Sequence, residues 1–303
     1  MTTRTERNEE KQKELIREEN RELRKKIVLT AAKVILIIIV ISLIFYFYTT
    51  YISSKIITVK EERIINEKIP ESFNGLKIIQ ISDIHYGTTI FKDDIANLVK
   101  LINERNPDLV IFTGDLINKD YKLHEKEKEY LIKQLKNIKS TLGKYAIYGE
   151  EDEKYFDSIM TQSQFIILDN SYDLIYKNSN TPILIVGINT NNTDLEKSYA
   201  YFKEPTHNSN IYTISLLHKP DEIDSLIEKH NSDLILAGHS HNGQIRIPKI
   251  GGIIKKDGAK KYINEYYKIN NSEIYISSGI GTNELGFRLF CRPSINFFRI
   301  SSK

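Results

Sequence analysis

The sequence predicts a stacked α/β protein that follows one membrane-spanning helix. Short apolar runs of strand length alternate with segments whose apolar residues recur at helical spacing. Polar residues that can bind metal ions come directly after several of the apolar runs. One longer apolar stretch near the amino terminus has the length that a bilayer requires. Because alternating strands and helices pack as layers, this pattern favours stacked sheets and helices over an all-β barrel.

The composition narrows the chemistry that the chain can perform. Its 303 residues allow one large or two ordinary domains. The single cysteine, Cys291, excludes an intrachain disulfide and a thiolate zinc cluster, so imidazole and carboxylate groups remain as metal ligands. The net charge of +3 is carried by the first 48 residues, which hold ten basic and seven acidic residues. The rest of the chain is balanced, and we therefore expect no nucleic-acid partner.

The first predicted segment covers residues 1–26 and is dense in glutamate, lysine and arginine. Such a segment forms either a solvated helix or a disordered tail. An apolar seam, which coiled-coil pairing requires, is nearly absent.

The second predicted segment, residues 27–48, is a transmembrane helix. Its 22 residues include one charge, Lys33, which lies close enough to the start to extend toward the nearer boundary. Aromatic residues that favour the membrane interface follow at the other end: Tyr46, Tyr48 and Tyr51.

Two other interpretations of this apolar segment are a buried helix and a cleaved signal peptide. A signal peptide has a shorter apolar core and small residues at its cleavage site, which Thr49-Thr50-Tyr51 does not supply. Four basic residues lie within the six positions before the segment, and those after it are more widely spread. We therefore expect a single-pass protein of the cell membrane with a cytoplasmic amino terminus and an extracytoplasmic main domain.

The third predicted segment is one α/β domain over residues 55–303. Strands are predicted at 56–66, 76–82, 108–113, 144–148, 165–168, 173–176, 183–188, 211–217 and 233–237, with short strands over 244–300. Helices are predicted at 92–103, 125–138, 195–202 and 223–230.

Metal-binding residue types follow the predicted strands at their carboxyl ends, where α/β sheets bind ligands. Asp83 and His85 come first, and residues two apart on an extended segment share a face. The other candidates are Asp115, His218, His239 and His241. Mixed carboxylate and imidazole groups suit divalent metal ions. The remaining histidines are expected at the surface: His124, His207 and His230.

A glycine precedes several of these candidates or ends the strand beside them. We expect Gly114, Gly149 and Gly238 to allow a sharp turn, often with a positive φ angle, so that the next side chain points into the crevice.

The order Asp-x-His, Gly-Asp, His and Gly-His-x-His resembles that of the calcineurin-like metallophosphoesterases. Residues 238–244 (GHSHNGQ) and 279–293, with their Gly-Ile-Gly-Thr and Cys-Arg-Pro phrases, are similar to its membrane-anchored or exported bacterial branch. The resemblance covers about residues 70–300. It implies a layered α/β/β/α sandwich.

The resemblance also implies hydrolysis of phosphate esters with two divalent metal ions (Mn, Fe or Zn), which activate water and hold phosphoryl oxygens. The ligands that it implies are Asp83, His85 and His241 for one ion, His218 and His239 for the other, and Asp115 as a bridge.

The chain departs from the family pattern at two functional positions. Glu150 stands where the family has an asparagine ligand; a carboxylate can still coordinate a hard cation, and it adds a negative charge. Glu151 stands where the family has a histidine and is the candidate catalytic residue. A general acid must be protonated near neutral pH. Nearby cations lower a carboxyl pKa and neighbouring carboxylates raise it, so the sequence leaves this role open.

Three functional hypotheses follow. The first is a membrane-anchored phosphoesterase acting on lipid-linked or cell-envelope phosphate esters. The second is a metal-binding envelope module whose catalysis is attenuated by Glu150 and Glu151. The third, a nuclease, is disfavoured by the neutral main domain. Residues 242–261 form either an apolar lip for acyl chains or an ordinary hairpin core.

Overall fold

A computed structural model describes residues 4–283 and 285–303. The predicted charged segment therefore begins outside the described residues, at positions 1–3. The chain divides into two compact units, Met1–Tyr48 and Thr49–Lys303.

The first unit is one long helix, α1, over Arg4–Phe47. Its charged first half is helical, which agrees with the solvated helix among the two alternatives for this segment. A π-helical turn follows at Tyr48–Ile52. Among the described residues this is the helix long and apolar enough to cross a membrane. None of its most apolar stretch is buried, unlike the core helix of a soluble protein.

The second unit is built from short strands and helices. In chain order, its strands are β1 Thr58–Ile65, β2 Leu76–Ile81, β3 Leu109–Phe112, β4 Gly143–Ala146, β5 Ile166–Ile167, β6 Ser171–Ile175, β7 Ile183–Gly187, β8 Thr213–Leu216, β9 Leu234–Ala237, β10 Arg246–Ile247, β11 Gly251–Gly252, β12 Tyr266–Ile269, β13 Ser272–Ile276 and β14 Ser294–Ser301. Its α-helices are α2 Lys92–Glu104, α3 Glu125–Lys136, α4 Phe156–Gln162, α5 Leu195–Ser198 and α6 Ile223–Lys229.

Within the described part of this unit, most strands belong to two six-stranded sheets. The first has the order β1-β14-β2-β3-β4-β5, and the second has the order β12-β13-β9-β8-β7-β6. The strands from β2 to β5 run parallel, as do β7, β8, β9 and β13. Each sheet therefore gathers several carboxyl strand ends along one edge.

Three apolar clusters show that the layers are stacked as helix, sheet, sheet, helix. The middle cluster joins the inner faces of the two sheets, for example Ile78 and Ile111 of the first with Ile214 and Leu236 of the second. The outer face of the first sheet packs on α2, α3 and α4, and that of the second packs on α6 and neighbouring tyrosines. The predicted α/β/β/α sandwich is confirmed.

Two elements differ from their predictions. Helix α4 was not predicted, although Phe156, Ile159 and Met160 are buried at helical spacing within it. The predicted helix 195–202 is interrupted at Tyr199, between α5 and a 3-10 turn.

The interruption at Tyr199 has a tertiary cause. Its ring is buried and stacks on His230 at a centroid distance of 4.0 Å. Its hydroxyl contacts two buried serine hydroxyls at 2.6 and 2.9 Å. His230, expected at the surface, is therefore partly buried beneath this ring.

Replacing Phe298 by alanine is expected to destabilise the second unit. Phe298 is fully buried between the sheets and packs on Tyr275 at a centroid distance of 4.9 Å. Losing a buried phenylalanine costs about 3–5 kcal/mol of unfolding free energy. Urea unfolding of the full chain in detergent, with Tyr176→Ala as the exposed control, measures the difference. Equal stability of the two variants would contradict this description of the core.

Candidate metal centre

Six of the predicted ligands lie at the carboxyl ends of strands from both sheets, and these six are buried, whereas Glu150 is partly exposed. The first sheet supplies Asp83 and His85 after β2 and Asp115 after β3; the second supplies His218 after β8 and His239 and His241 after β9. Because the two sheets face each other, these strand ends lie close together. The sequence predicted this from the position of the candidate residues directly after strands.

The side chains form two groups that match a divalent metal ion. In each group the nitrogen and oxygen atoms lie within 4.8 Å of one another; the groups are Asp83, His85 and His241, and Asp115, His218 and His239. Within the first, the Nε2 atoms of His85 and His241 are 3.2 Å apart, and the Nε2 of His241 is 3.4 Å from the Oδ1 of Asp83.

Asp115 lies between the two groups. Its Oδ2 is 3.1 Å from the Nε2 of His218 and 3.6 Å from the Nε2 of His85. One carboxylate is thus within reach of both groups.

Hydrogen bonds to backbone carbonyl oxygens determine which ring nitrogen of His218, and which of His239, faces the centre. The Nδ1 of His218 donates to the carbonyl oxygen of Thr113 at 2.7 Å, so its Nε2 is the nitrogen that faces Asp115 and the centre. The Nε2 of His239 donates to the carbonyl oxygen of Asp257 at 2.7 Å. The opposite nitrogen, Nδ1, is buried and has no hydrogen-bond partner among the described residues. A bound cation would satisfy this nitrogen, so the residues present fit a metal.

The other two rings have charged neighbours. The Nδ1 of His85 is 3.2 Å from the Oε2 of Glu151, and the Nδ1 of His241 is 3.2 Å from the Nη2 of Arg288. Arg288 is fully buried and also donates to the carbonyl oxygens of Gly279 and Gly281. Arg288 lies within the family-like segment 279–293, from which the sequence predicted no contact with the centre.

The carboxylates of the centre are held in the anionic form. Burial alone would raise the pKa of Asp83, but His241 and other nearby imidazoles hold it well below its usual range. Burial acts in the same way on the pKa of Asp115, and His218 reverses the effect, so this pKa is also lowered. Anionic oxygens are the form that binds cations.

The imidazoles of the centre differ in protonation. Burial lowers the pKa of His239 to about 4, with repulsion from His218 in the same direction. Burial also lowers the pKa of His241. The pKa of His218, which burial would lower, is raised to about 10 by the adjacent Asp115. A proton on His218 therefore balances carboxylate charge that a cation would otherwise balance.

Left-handed backbone recurs at the candidate ligands. Positive φ angles occur at Asp83 (52°), His85 (42°), Asp115 (62°), His239 (65°) and His241 (47°). Such angles are uncommon outside glycine and cost about 1–3 kcal/mol each, although aspartate and histidine tolerate them better than most residues. Strained backbone is thus a shared property of these five candidate ligands.

The glycines beside the ligands serve two purposes. Gly114 has a φ of 95°, as predicted. Gly149 and Gly238 do not have positive φ; they are needed for space. A Cβ on Gly149 would lie 2.2 Å from the Oδ1 of Asp115, and one on Gly238 would lie 2.8 Å from the Oδ2 of Asp83.

The two departures from the family pattern lie beside the centre. The Oε1 of Glu150 is 3.6 Å from the Nδ1 of His239, and its Oε2 is 3.1 Å from the Nζ of Lys219. Glu151 forms a third close group with His85 and Asp115. Burial would raise the pKa of Glu151, but the contact with His85 lowers it, so this carboxyl is ionised at neutral pH.

Asp152 is a residue to which the sequence assigned no role. Its buried carboxylate accepts hydrogen bonds from the backbone amides of Asp115 at 2.7 Å, Leu116 at 2.8 Å and Gly149 at 2.9 Å. It thereby ties the loop after β4 to the loop that carries Asp115. Its place three residues after a strand-ending glycine is the signal that sequence reasoning could have used.

A cavity of about 530 Å³ lies over the two groups. Its walls include His239, His241, Glu150 and Glu151. Basic side chains also line it: Lys119, Lys255 and Lys256. Asp257 lines it as well, so three basic side chains face three carboxylates across the cavity.

Comparison with known proteins agrees with this arrangement. The sequence model of calcineurin-like phosphoesterases matches residues 76–243. An uncharacterized metallophosphoesterase of Bacillus subtilis, YkuE, is 30% identical over 261 residues, covering 83% of this chain and 88% of YkuE. A transmembrane protein with a metallophosphoesterase domain from Danio rerio is 26% identical over 76% of this chain and 54% of its own. The phosphodiesterase YaeI of Escherichia coli is 25% identical over 74% of this chain and 82% of its own.

Replacing Asp115 by alanine is expected to weaken metal binding to both groups, because its Oδ2 contacts a histidine of each. Removing a group that only hydrogen-bonds a metal ligand lowers metal affinity about 10–100-fold. Because Asp115 is itself a proposed ligand, its removal should lower the affinity by at least that factor. Elemental analysis after dialysis against Mn²⁺ or Zn²⁺ measures it, with the exposed Asp93→Ala as the control. Unchanged metal content in Asp115→Ala would place the metal elsewhere.

Proposed function

Because this chain belongs to the calcineurin-like phosphoesterase family, we propose that it is a membrane-anchored hydrolase of phosphate esters that uses two divalent metal ions. The observation that carries the proposal is the position of Asp115, whose Oδ2 is within 3.6 Å of histidines from both groups. Cations bound there would lower the pKa of a water molecule and neutralise phosphoryl charge. Mn, Fe and Zn all suit these ligands.

The residues of the chain position and attract the substrate in this scheme. Thr113 and Asp257 hold the rings of His218 and His239 in one orientation. Lys119, Lys255 and Lys256 line the approach beside Glu150, Glu151 and Asp257, and these lysines are the groups that would pair with an anionic phosphate.

We infer that Glu150 is the remaining ligand, in place of the family asparagine. Its Oε1 lies near the free Nδ1 of His239, so a small rotation brings it to the same cation. The ion pair with Lys219 offsets the negative charge that the carboxylate adds.

We infer that Glu151 orients His85 and does not donate a proton. Its Oε2 lies 3.2 Å from the Nδ1 of His85 and accepts from the backbone amide of Lys119 at 2.9 Å. A carboxylate in this position fixes the ring so that the Nε2 of His85 faces the metal. Because its pKa is lowered, Glu151 lacks the proton of a general acid. The reaction then favours esters whose alcohol leaves easily.

The proposed location follows from the first segments of the chain. Residues 1–26 would lie in the cytoplasm, residues 27–48 would span the cell membrane once, and residues 55–303 would form the extracytoplasmic domain. Anchoring beside a bilayer makes a lipid-linked or cell-envelope phosphate ester the proposed substrate, and the balanced charge of the domain favours neither DNA nor RNA.

The second candidate function is a metal-binding module with attenuated catalysis. The observation that favours it is the Glu150-Glu151 pair, because these two carboxylates line the cavity and would repel an incoming phosphate. In that case, Glu150→Asn combined with Glu151→His would increase hydrolysis strongly.

The full chain, solubilised and loaded with Mn²⁺, is expected to hydrolyse bis-(p-nitrophenyl) phosphate. Release of p-nitrophenolate measures the rate, and chelation of the metal should abolish it. Asp115→Ala should be inactive, and Asp93→Ala should match the unmodified chain. Bound metal without turnover, together with activity in the double variant, would support the second candidate instead.

Glu151→Gln is expected to weaken metal affinity about 10–100-fold and to recover most of its activity at high Mn²⁺, since the amide still accepts the Lys119 hydrogen bond. A metal titration of hydrolysis separates affinity from maximal rate, with the exposed Glu153→Gln as the control. If Glu151 were a general acid, the maximal rate would stay low at any metal concentration.

A further inference from the structure

We propose that a basic and apolar face beside the cavity docks onto the surface of an anionic bilayer, and that the cavity therefore receives amphiphilic phosphate esters from that bilayer. This docking face consists of residues 245–256 and the described segment 285–292. The second half of the proposal rests on the hydrolase function proposed above, whereas docking itself does not.

Large apolar side chains of the docking face project into solvent. Ile250 is 73% exposed and Phe290 is 60% exposed. Others that are exposed in the same segments are Ile247, Ile253 and Leu285. Residues 242–261 are thus not an ordinary hairpin core at these positions. Several large apolar side chains exposed within two neighbouring segments are typical of a site of interaction.

Backbone hydrogen bonds hold the two segments as one surface. The amide of Ile253 donates to the carbonyl oxygen of Ile245 at 3.0 Å, which closes the hairpin of β10 and β11. The amide of Arg246 donates to the carbonyl oxygen of Leu289 at 2.9 Å, and that of Leu289 donates to Gln244 at 3.2 Å. The apolar side chains are therefore displayed on a connected scaffold.

The charge of the docking face is of one sign. Every charged residue in 245–256 and 285–292 is basic. Lys249, Lys255 and Arg292 are exposed among the apolar side chains. Apolar residues interspersed with lysine and arginine are typical of surfaces that bind anionic lipid headgroups and insert shallowly. The composition therefore favours a bilayer over a neutral protein partner.

The start of the second unit lies beside the docking face. The carbonyl oxygen of Thr49 accepts a hydrogen bond from the amide of Arg288 at 3.4 Å and another from the hydroxyl of Ser54 at 2.7 Å. Thr49 directly follows the segment 27–48 that we propose to span the membrane. The chain thus enters this unit beside the docking face.

The docking face and the cavity share a wall. Ile254, Lys255, Lys256 and Leu285 line the cavity together with His239 of the metal centre. Leu285 is also exposed on the docking face. A phosphate ester at the bilayer surface can therefore enter the cavity while its apolar part stays in the lipid.

Docking can be tested with tryptophan fluorescence, because the sequence contains no tryptophan. Phe290→Trp and Tyr176→Trp, each in the full chain, are reconstituted into vesicles of phosphatidylcholine and phosphatidylglycerol. Tyr176 is the matched control, because it is 51% exposed and directly follows β6. The end of β6 pairs with the start of β7, which is the end of that sheet away from the cavity.

The emission of the Phe290→Trp chain is expected to shift to shorter wavelength and to be quenched by lipids brominated near the glycerol. The Tyr176→Trp chain should be quenched by aqueous iodide instead. Flotation confirms that both chains are in the vesicles. Water-like emission and iodide quenching in both chains would overturn the docking proposal.

The substrate class is tested with Ile250→Asp combined with Phe290→Asp. Neither residue lines the cavity. Hydrolysis of a phosphatidyl p-nitrophenol in the vesicles should fall at least tenfold, and hydrolysis of soluble bis-(p-nitrophenyl) phosphate should not change. Equal effects on both substrates would overturn the substrate assignment. If the unmodified chain hydrolyses neither substrate, the hydrolase proposal and the assignment fail together, and the fluorescence result still decides docking.

Discussion

The burial of Asp83 and Asp115 around one histidine is the constraint on which this site depends: the Nε2 of His85 is 3.9 Å from the Oδ1 of Asp83 and 3.6 Å from the Oδ2 of Asp115. Two carboxylates removed from water require nearby positive charge. Histidines that follow three different strands contact these carboxylates. The ring nitrogens that face away from the centre contact backbone carbonyl oxygens or charged side chains. Glycine at 149 and 238 leaves the space that so close an arrangement needs. The layered sheets bring these ends together, so the fold and the proposed chemistry have the same origin.

The strained loops make this centre costly to build. Left-handed backbone at the ligands opposes folding, and the compact α/β/β/α core must offset that cost. Asp152 contributes locally, because one buried carboxylate holds amides from both the β3 loop and the β4 loop. A loop conformation that is set before any ligand arrives does not need to be ordered when a cation or a phosphate binds.

Stacked α/β layers and the convergence of Asp83, His85, Asp115 and the three later histidines were predictable, because strand periodicity places these residues at strand ends. The order of the four layers was predicted from the family resemblance. Features that depend on the distances between side chains were not predictable from the sequence. The sequence left the role of Glu151 open, since its pKa depends on contact with His85. The interruption at Tyr199 arises from long-range packing, which local helical spacing does not encode. Residues 242–261 fitted either a core hairpin or an exposed lip, and only packing distinguishes these.

The position of β14 has a consequence for how the domain assembles. This strand lies between β1 and β2, parallel to one and antiparallel to the other. Thr58 and Pro293, which are hydrogen-bonded where β1 and β14 begin, are 235 positions apart in sequence. The first sheet is therefore incomplete until the ribosome has made almost all of the domain, and contacts of such long sequence separation form slowly. Late completion of the sheet would keep the domain unfolded during synthesis, as the export across the membrane that we propose requires.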